Sequence, residues 1–124
     1  MPPKLLLISI VDDDASVRRA LRRLLQSAGY AVEAFASASE LLDSPAIGLT
    51  SCLVLDIQMK DMSGFELQER LAVAWAEIPL IFITAHDDAA TRERVRQAGV
   101  ARYLPKPFEK RVLLAAIESA LAAE

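Results

Sequence analysis

Six side chains in this sequence could do chemistry together. Asp12, Asp13 and Asp14 stand in a row where an apolar run ends, in the stretch "ISIVDDDAS". Asp56 closes "SCLVLD", Thr84 closes "IPLIFIT", and Lys106 lies between two prolines in "YLPKPF". Two carboxylates about 4 Å apart repel by roughly 1 kcal/mol in bulk water, and by several times that where water is partly excluded. Three of them at the end of a buried strand call for positive charge nearby. A divalent cation and a lysine ammonium would supply it. Carboxylates with room for water suit Mg2+, with Mn2+ as a substitute, because such an ion takes octahedral oxygen ligation and keeps several of its waters. A soft-metal site is excluded, since the chain has one cysteine, Cys52, and one histidine, His86. A carboxylate beside the cation can attack a phosphoryl group whose oxygens the cation and the lysine hold. The hydroxyl of Thr84 is the natural group to hydrogen-bond a phosphoryl oxygen once it arrives.

These residues converge only if the elements carrying them end on one edge. The chain alternates in period. "KLLLISIV" is a strand-like apolar run, and residues 15–28 then place Val17, Ala20, Leu21, Leu24, Leu25 and Ala28 on one helical stripe, with Gly29 as the cap. "YAVEAF" is a second strand. Ser37 and Glu40 stand at capping-box spacing before a short helix that Pro45 closes off, and Ser63 and Glu66 repeat the spacing after the third strand, "SCLVLDI". "IPLIFIT" is the fourth strand, a helix runs from about Ala89 to Gly99, and "ARYLP" is a fifth strand whose Pro105 suits an edge. The last helix puts Leu113, Ala116, Ile117, Ala120 and Leu121 on one face. Five strands alternating with five helices imply an α/β sandwich with a mostly parallel sheet. Ligands of such sheets bind beyond the carboxyl ends of the strands, at the switch point in strand order. The first, third, fourth and fifth strand ends are where Asp12, Asp13, Asp56, Thr84 and Lys106 stand.

Composition narrows the function classes. The 124 residues are 53% hydrophobic and 25% charged, with a net charge of −3, and the isoelectric point is near 5.2. That balance argues against nucleic acid as the partner of this chain, because a binding domain needs a basic face that releases counterions. The longest apolar runs are too short to cross a bilayer, no leader pattern precedes them, and a lone cysteine fits a reducing cytoplasm. Cys52 reads as a small buried hydrophobe. The cluster Arg18, Arg19, Arg22 and Arg23 reads first as the solvated side of an amphipathic helix, and second as a docking surface for an acidic or phosphorylated protein.

Taken in order, "VDDD", "VLDIQMKDMSG", "FITAH" and "YLPKPF" resemble the receiver domain of two-component response regulators, the CheY-like superfamily, from about Leu5 to Leu121. The resemblance implies a (βα)5 doubly wound, flavodoxin-like three-layer sandwich with a five-stranded parallel sheet in the order 2-1-3-4-5. It also implies that Asp56 accepts a phosphoryl group from a sensor histidine kinase or a small phosphodonor. Asp12, Asp13, Asp56 and the backbone carbonyl of Gln58 would hold Mg2+, with Asp13 the more direct ligand and Asp12 acting largely through water. Lys106 would contact the phosphoryl group, and the Lys106–Pro107 bond would be cis. Thr84 and Tyr103 resemble a switch pair, and Ala85 the small residue that admits the phosphoryl group. Mg2+-dependent self-phosphorylation and autodephosphorylation, with no metabolic activity, would follow. The readout would be the face of the fourth helix, fifth strand and fifth helix, including Arg102 and Tyr103, where phosphorylation-dependent homodimers form. The Arg18–Arg23 face would belong to the kinase-docking surface.

Some positions depart from the pattern. Lys60 stands where many receivers have proline. Gln58 and His86 occupy positions that tune the lifetime of the phosphoryl group. "DMSG" and "TAH" lean toward receivers of the FixJ type, which precede a DNA-binding domain and control transcription. Residues 1–124 are therefore expected to be one receiver domain, either excised from a longer regulator or acting as a free-standing relay. Plainer readings apply elsewhere: Asp14 as a helix cap, His86 as a surface residue flanking the site, Tyr103 as strand-edge packing, Trp75 as helix-end packing. A haloacid dehalogenase-like phosphatase would want a second acid where Gln58 stands. A flavodoxin-like nucleotide binder would want a phosphate loop in place of the three acids. A degenerate receiver would have lost one of the acids or the lysine.

Overall fold

Burial along the strands follows the pleat, and it sorts the core into two layers. In the computed structural model, which describes residues 6–74, 78–100 and 102–122, β1 (Leu7–Val11), β2 (Ala31–Phe35), β3 (Cys52–Asp56), β4 (Leu80–Thr84) and β5 (Tyr103–Pro105) pair in parallel in the order β2-β1-β3-β4-β5. Alternate strand residues face opposite layers. Val11, Phe35, Leu53, Leu55 and Phe82 join one apolar cluster with Leu41, Phe65, Leu67, Leu71 and Val95. Those last five come from α2 (Ala38–Leu42), α3 (Gly64–Ala74) and α4 (Ala89–Ala98). Ile8, Ile10, Val32, Val54, Ile81 and Ile83 join the other, packed on Leu21 and Leu25 of α1 (Ala15–Ser27) and on Leu113 and Ile117 of α5 (Lys110–Ala122). This is the three-layer doubly wound sandwich of the sequence reading, with the expected strand order. Cys52 is fully buried in the second cluster.

Local chemistry starts and stops the helices where the sequence places these signals. Asp14 caps α1, its Oδ1 accepting from the backbone N–H of Ser16 at 2.8 Å. Ser37 and Ser63 accept from the N–H of Glu40 and Glu66 at 3.2 and 3.1 Å. Gly29 and Gly99 follow α1 and α4 with φ of 97° and 76°, in the left-handed region where a side chain is strained.

Four details correct the sequence reading. Ala20 and Ala28 are exposed, so the buried stripe of α1 narrows to Leu21 and Leu25 with Val17 and Leu24 half-buried. Pro45 does not close α2, which ends at Leu42; it opens a separate 3-10 turn, Pro45–Leu49, capped by Ser44. β3 and β4 span Cys52–Asp56 and Leu80–Thr84, shorter than the runs "SCLVLDI" and "IPLIFIT". Arg18 is not a purely solvated arginine, since its guanidinium donates to the Asp12 carbonyl at 2.7 Å. Trp75 and the first residues of the "KLLLISIV" run lie outside the described residues. Among the described residues, no helix is long and apolar enough to cross a membrane.

Candidate functional site

The switch point of the sheet lies between β1 and β3, whose chains wind away in opposite directions and leave a crevice beyond their ends. Asp12 follows β1, and its backbone N–H still donates to Phe35 O at 3.1 Å, which holds it in line with the sheet. Asp56 is the last residue of β3 and pairs in register with Ile83. Carboxylate oxygens of Asp12, Asp13 and Asp56 all lie within 4.8 Å of one another. Asp12 is fully buried, Asp56 is 4% exposed, and Asp13 is exposed.

Lys106 answers the charge problem raised by these acids. It follows β5, its N–H donates to Thr84 O at 2.7 Å, and the Lys106–Pro107 bond is cis. Its Nζ donates to Asp12 Oδ2 at 2.8 Å and lies 3.6 Å from Asp56 Oδ2. Burial works against the ammonium, but the two carboxylates outweigh it and hold the Lys106 pKa above the ordinary lysine value. Asp56 is balanced the other way. Burial, reinforced by the neighbouring Asp12, pushes its pKa up from the usual 3.8 to about 6, against the pull of Lys106 and of the Gln58 N–H. One ammonium therefore leaves the acids undercompensated.

The donor set fits a hard dication. Asp12 Oδ1 is engaged by the Asp14 N–H at 2.9 Å and Oδ2 by Lys106, whereas the Asp13 carboxylate is open to solvent. All the side-chain donors are oxygens and one side of the cluster reaches water, as Mg2+ with retained waters requires.

Thr84 closes β4 and is fully buried. Its Oγ1 accepts from the His86 N–H at 3.0 Å and donates to Gln58 Oε1 at 2.9 Å. His86 Nδ1 lies 2.9 Å from the same Gln58 oxygen, so the sequence-predicted flanking residue touches the site through a side chain. Tyr103 is half-buried against the α2–α4 cluster, and its hydroxyl donates to Asp87 Oδ1 at 2.8 Å. Burial and this carboxylate push the Tyr103 pKa up to about 12. Asp87 also meets Arg92 of α4 at 3.6 Å. Ala85 and Pro107 line a groove of about 560 Å³ beside Lys106. Lys60 is exposed on the loop after β3.

Several contacts at the site were not read from the sequence. Gly64 N–H donates to Ile57 O at 2.7 Å, and a Cβ on Gly64 would stand 2.9 Å from both Asp56 O and Ile57 Cα. The glycine of "DMSG" thus lets α3 begin directly against the end of β3. Asp61 reaches across to α2, accepting from the N–H and hydroxyl of Ser39, both at 3.0 Å. The motif was visible, but which backbone it had to approach was not.

The family model described as the response regulator receiver domain matches residues 8–118. Nodulation protein W of Bradyrhizobium diazoefficiens is 42% identical over 114 residues, spanning 92% of this chain and 50% of that protein. The transcriptional regulatory protein FixJ of Azorhizobium caulinodans is 34% identical over 119 residues, spanning 96% of this chain and 56% of that protein. A CheY-like receiver domain protein from Methanospirillum hungatei superposes with a TM-score of 0.87 at 30% identity, over 97% of this chain and 96% of its own. The chain spans about half the length of the curated relatives it matches.

Proposed function

The chain belongs to the response regulator receiver domains of two-component signal transduction, and from that premise we propose that Asp56 is its phosphoacceptor. The observation that carries the reading is the meeting of three strand-end carboxylates with one ammonium, 2.8 Å from Asp12 and 3.6 Å from Asp56. An oxygen of Asp56 forms a bond to phosphorus as the bond to a kinase histidine nitrogen, or to the oxygen of a small acyl phosphate, breaks. With a pKa near 6, Asp56 is mainly the carboxylate at neutral pH, as an attacking group must be. Lys106, whose Nζ lies 3.6 Å from Asp56 Oδ2, would hold a phosphoryl oxygen. Asp12, Asp13, Asp56 and the Gln58 carbonyl would hold Mg2+, which supplies electrostatic stabilisation of the transferring group. Gln58 stands where a haloacid dehalogenase-like phosphatase would want its second acid.

The modified Asp56 gains about −1.5 to −2 charges and strong acceptor oxygens. Thr84 is the hydroxyl placed to answer them, and Ala85 presents only a methyl group at the entrance. Tyr103 shares its half-buried position with the face of α4, β5 and α5, so its reorientation would carry the change to an output domain or a second copy of the chain. The kinase would dock on α1, on its Arg18–Arg23 face, where Arg18, Arg19 and Arg22 line a recess with Ala15 and Ala34, together with the separate groove lined by Val17, Leu24 and Phe108. We take the chain as one receiver domain of a longer regulator, with transcription as its output; a free-standing relay is the alternative.

Incubation with acetyl phosphate and Mg2+ should add one phosphoryl mass, labile to base, to the intact protein. Asp56→Asn should abolish the adduct, and its persistence in that variant would remove Asp56 as the acceptor. Chelation of Mg2+ should suppress the uptake in the native chain.

A further inference from the structure

The hydroxyl that the proposed function assigns to the phosphoryl group is already in use. Thr84 Oγ1 accepts one hydrogen bond from the His86 N–H and gives its own hydrogen to Gln58 Oε1. A hydroxyl has a single hydrogen, so donation to Gln58 excludes donation to any other acceptor. The same residue grips the acceptor from the other side, because the Gln58 N–H donates to Asp56 Oδ1 at 3.2 Å. Gln58 therefore spans the gap between the two groups that phosphorylation would bring together.

Its side chain is exposed, and an exposed glutamine amide ordinarily samples several rotamers. Here a second contact fixes it. His86 Nδ1 lies 2.9 Å from Gln58 Oε1, a distance that is favourable when Nδ1 carries the hydrogen and the carbonyl oxygen uses its second lone pair. Thr84, Gln58 and His86 form a closed ring of contacts in which the His86 N–H and the Gln58 side chain hold a single hydroxyl and the His86 ring holds Gln58.

We propose that the Gln58 side-chain amide is a latch that competes with the phosphoryl group for the hydroxyl hydrogen of Thr84, and that His86 positions the latch. The inference rests on the phosphoacceptor reading and adds to it a residue that sets the threshold of the switch. In the unmodified protein the Thr84–Gln58 bond must open before Thr84 can donate to an oxygen on Asp56. Loss of the amide oxygen should favour the switched arrangement. Because a single hydrogen bond of this kind has a small net worth, the effect should be modest.

The test uses the whole chain and two readouts. The first is the Thr84 methyl resonance in metal-free, unmodified protein. The second is the affinity for beryllofluoride, an analogue of the phosphoryl group, at saturating Mg2+. Gln58→Met keeps the backbone N–H and carbonyl and replaces the whole side-chain amide, oxygen and NH2 alike, by a thioether of similar length. It should move the methyl resonance toward its beryllofluoride-bound position and tighten beryllofluoride roughly three- to tenfold. His86→Ala should act in the same direction by less, about threefold at most, and should add nothing in the Gln58→Met background. A methyl resonance that stays in place, or an affinity equal to or below that of the native chain, overturns the latch. Continued tightening by His86→Ala on top of Gln58→Met overturns the role of His86. If the native chain takes up no beryllofluoride, the phosphoacceptor reading fails instead.

Discussion

The two sides of the site are built from different materials. On one side, Asp12 and Asp56 are buried carboxylates and Lys106 is a half-buried ammonium, joined to Asp12 by a short ion pair at 2.8 Å. On the other, Thr84, Gln58, His86, Asp87 and Tyr103 are joined by hydrogen bonds whose outer partners are exposed. Removing one member of a buried charge group leaves the others uncompensated, at several kcal/mol. Breaking an exposed hydrogen bond exchanges it for one to water, at about 1 kcal/mol or less. The first side is thus fit to stay assembled whatever Asp56 carries, and the second is fit to rearrange. The packing around the second side agrees: of the ten residues of α4, Val95 alone is buried. What ties α4 down there is mostly polar or electrostatic, including Arg94 stacked 4.5 Å over the Phe65 ring and Gln68 donating to Ala98 O at 3.3 Å.

The sharpest attempt to break this contrast is Lys106→Met. It strands Asp12 and Asp56 without their cation, so metal-free protein should lose about 3 kcal/mol or more in urea denaturation, and the Asp56 pKa should climb further above 6. A loss under 1 kcal/mol would erase the distinction between the two sides.

Asp56→Asn should act in the opposite direction. The folded protein binds the Asp56 proton more tightly than the unfolded chain does, since its pKa is about 6 against the usual 3.8. The ionised group is therefore unfavourable to folding above pH 6, and the penalty fades as pH falls from 6 toward 4. In metal-free buffer at pH 7.5 the variant should gain about 1–3 kcal/mol over the native chain, a gain that shrinks through that window. A gain independent of pH would show that ionisation is not its origin. Gly64→Ala probes the backbone between the two sides. Its Cβ meets backbone rather than a flexible side chain at 2.9 Å, so about 1–3 kcal/mol should be lost in thermal or urea unfolding. The smallest effect is expected of Tyr103→Phe. Removing its bond to Asp87 should change stability by less than about 1 kcal/mol, while altering the amide resonances of α4 in the unmodified protein.

Much of this was legible in the chain. Apolar period, glycine stops and serine or aspartate caps act over a few residues, so the order of elements and the identity of the strand ends could be read directly. "VDDD" demanded a balancing charge, and Lys106, 94 residues away, stands against Asp12. Other features were hidden because they depend on distances between elements. Ala20 and Ala28 lie on the apolar stripe of α1 by spacing, but the sheet does not reach far enough to cover them. Arg18 shares its helix face with three other arginines, yet it alone among them is within reach of the Asp12 carbonyl. Gln58 was placed at the site for its backbone carbonyl and as a lifetime-tuning position, but that its side chain holds Thr84 was not legible.

The sequence by itself determined the succession of five strands and five helices, and with it the residues that end each strand, because those choices are made by local periodicity and capping. The tertiary structure decided which of those ends meet and what each side chain holds. Strand order sets β1 beside β3, the packing of α3 on β3 brings Gly64 against Asp56 O, and long side chains such as Gln58, Arg18 and Lys106 find partners within hydrogen-bonding distance. Those distances belong to the packed molecule and have no counterpart in the order of residues.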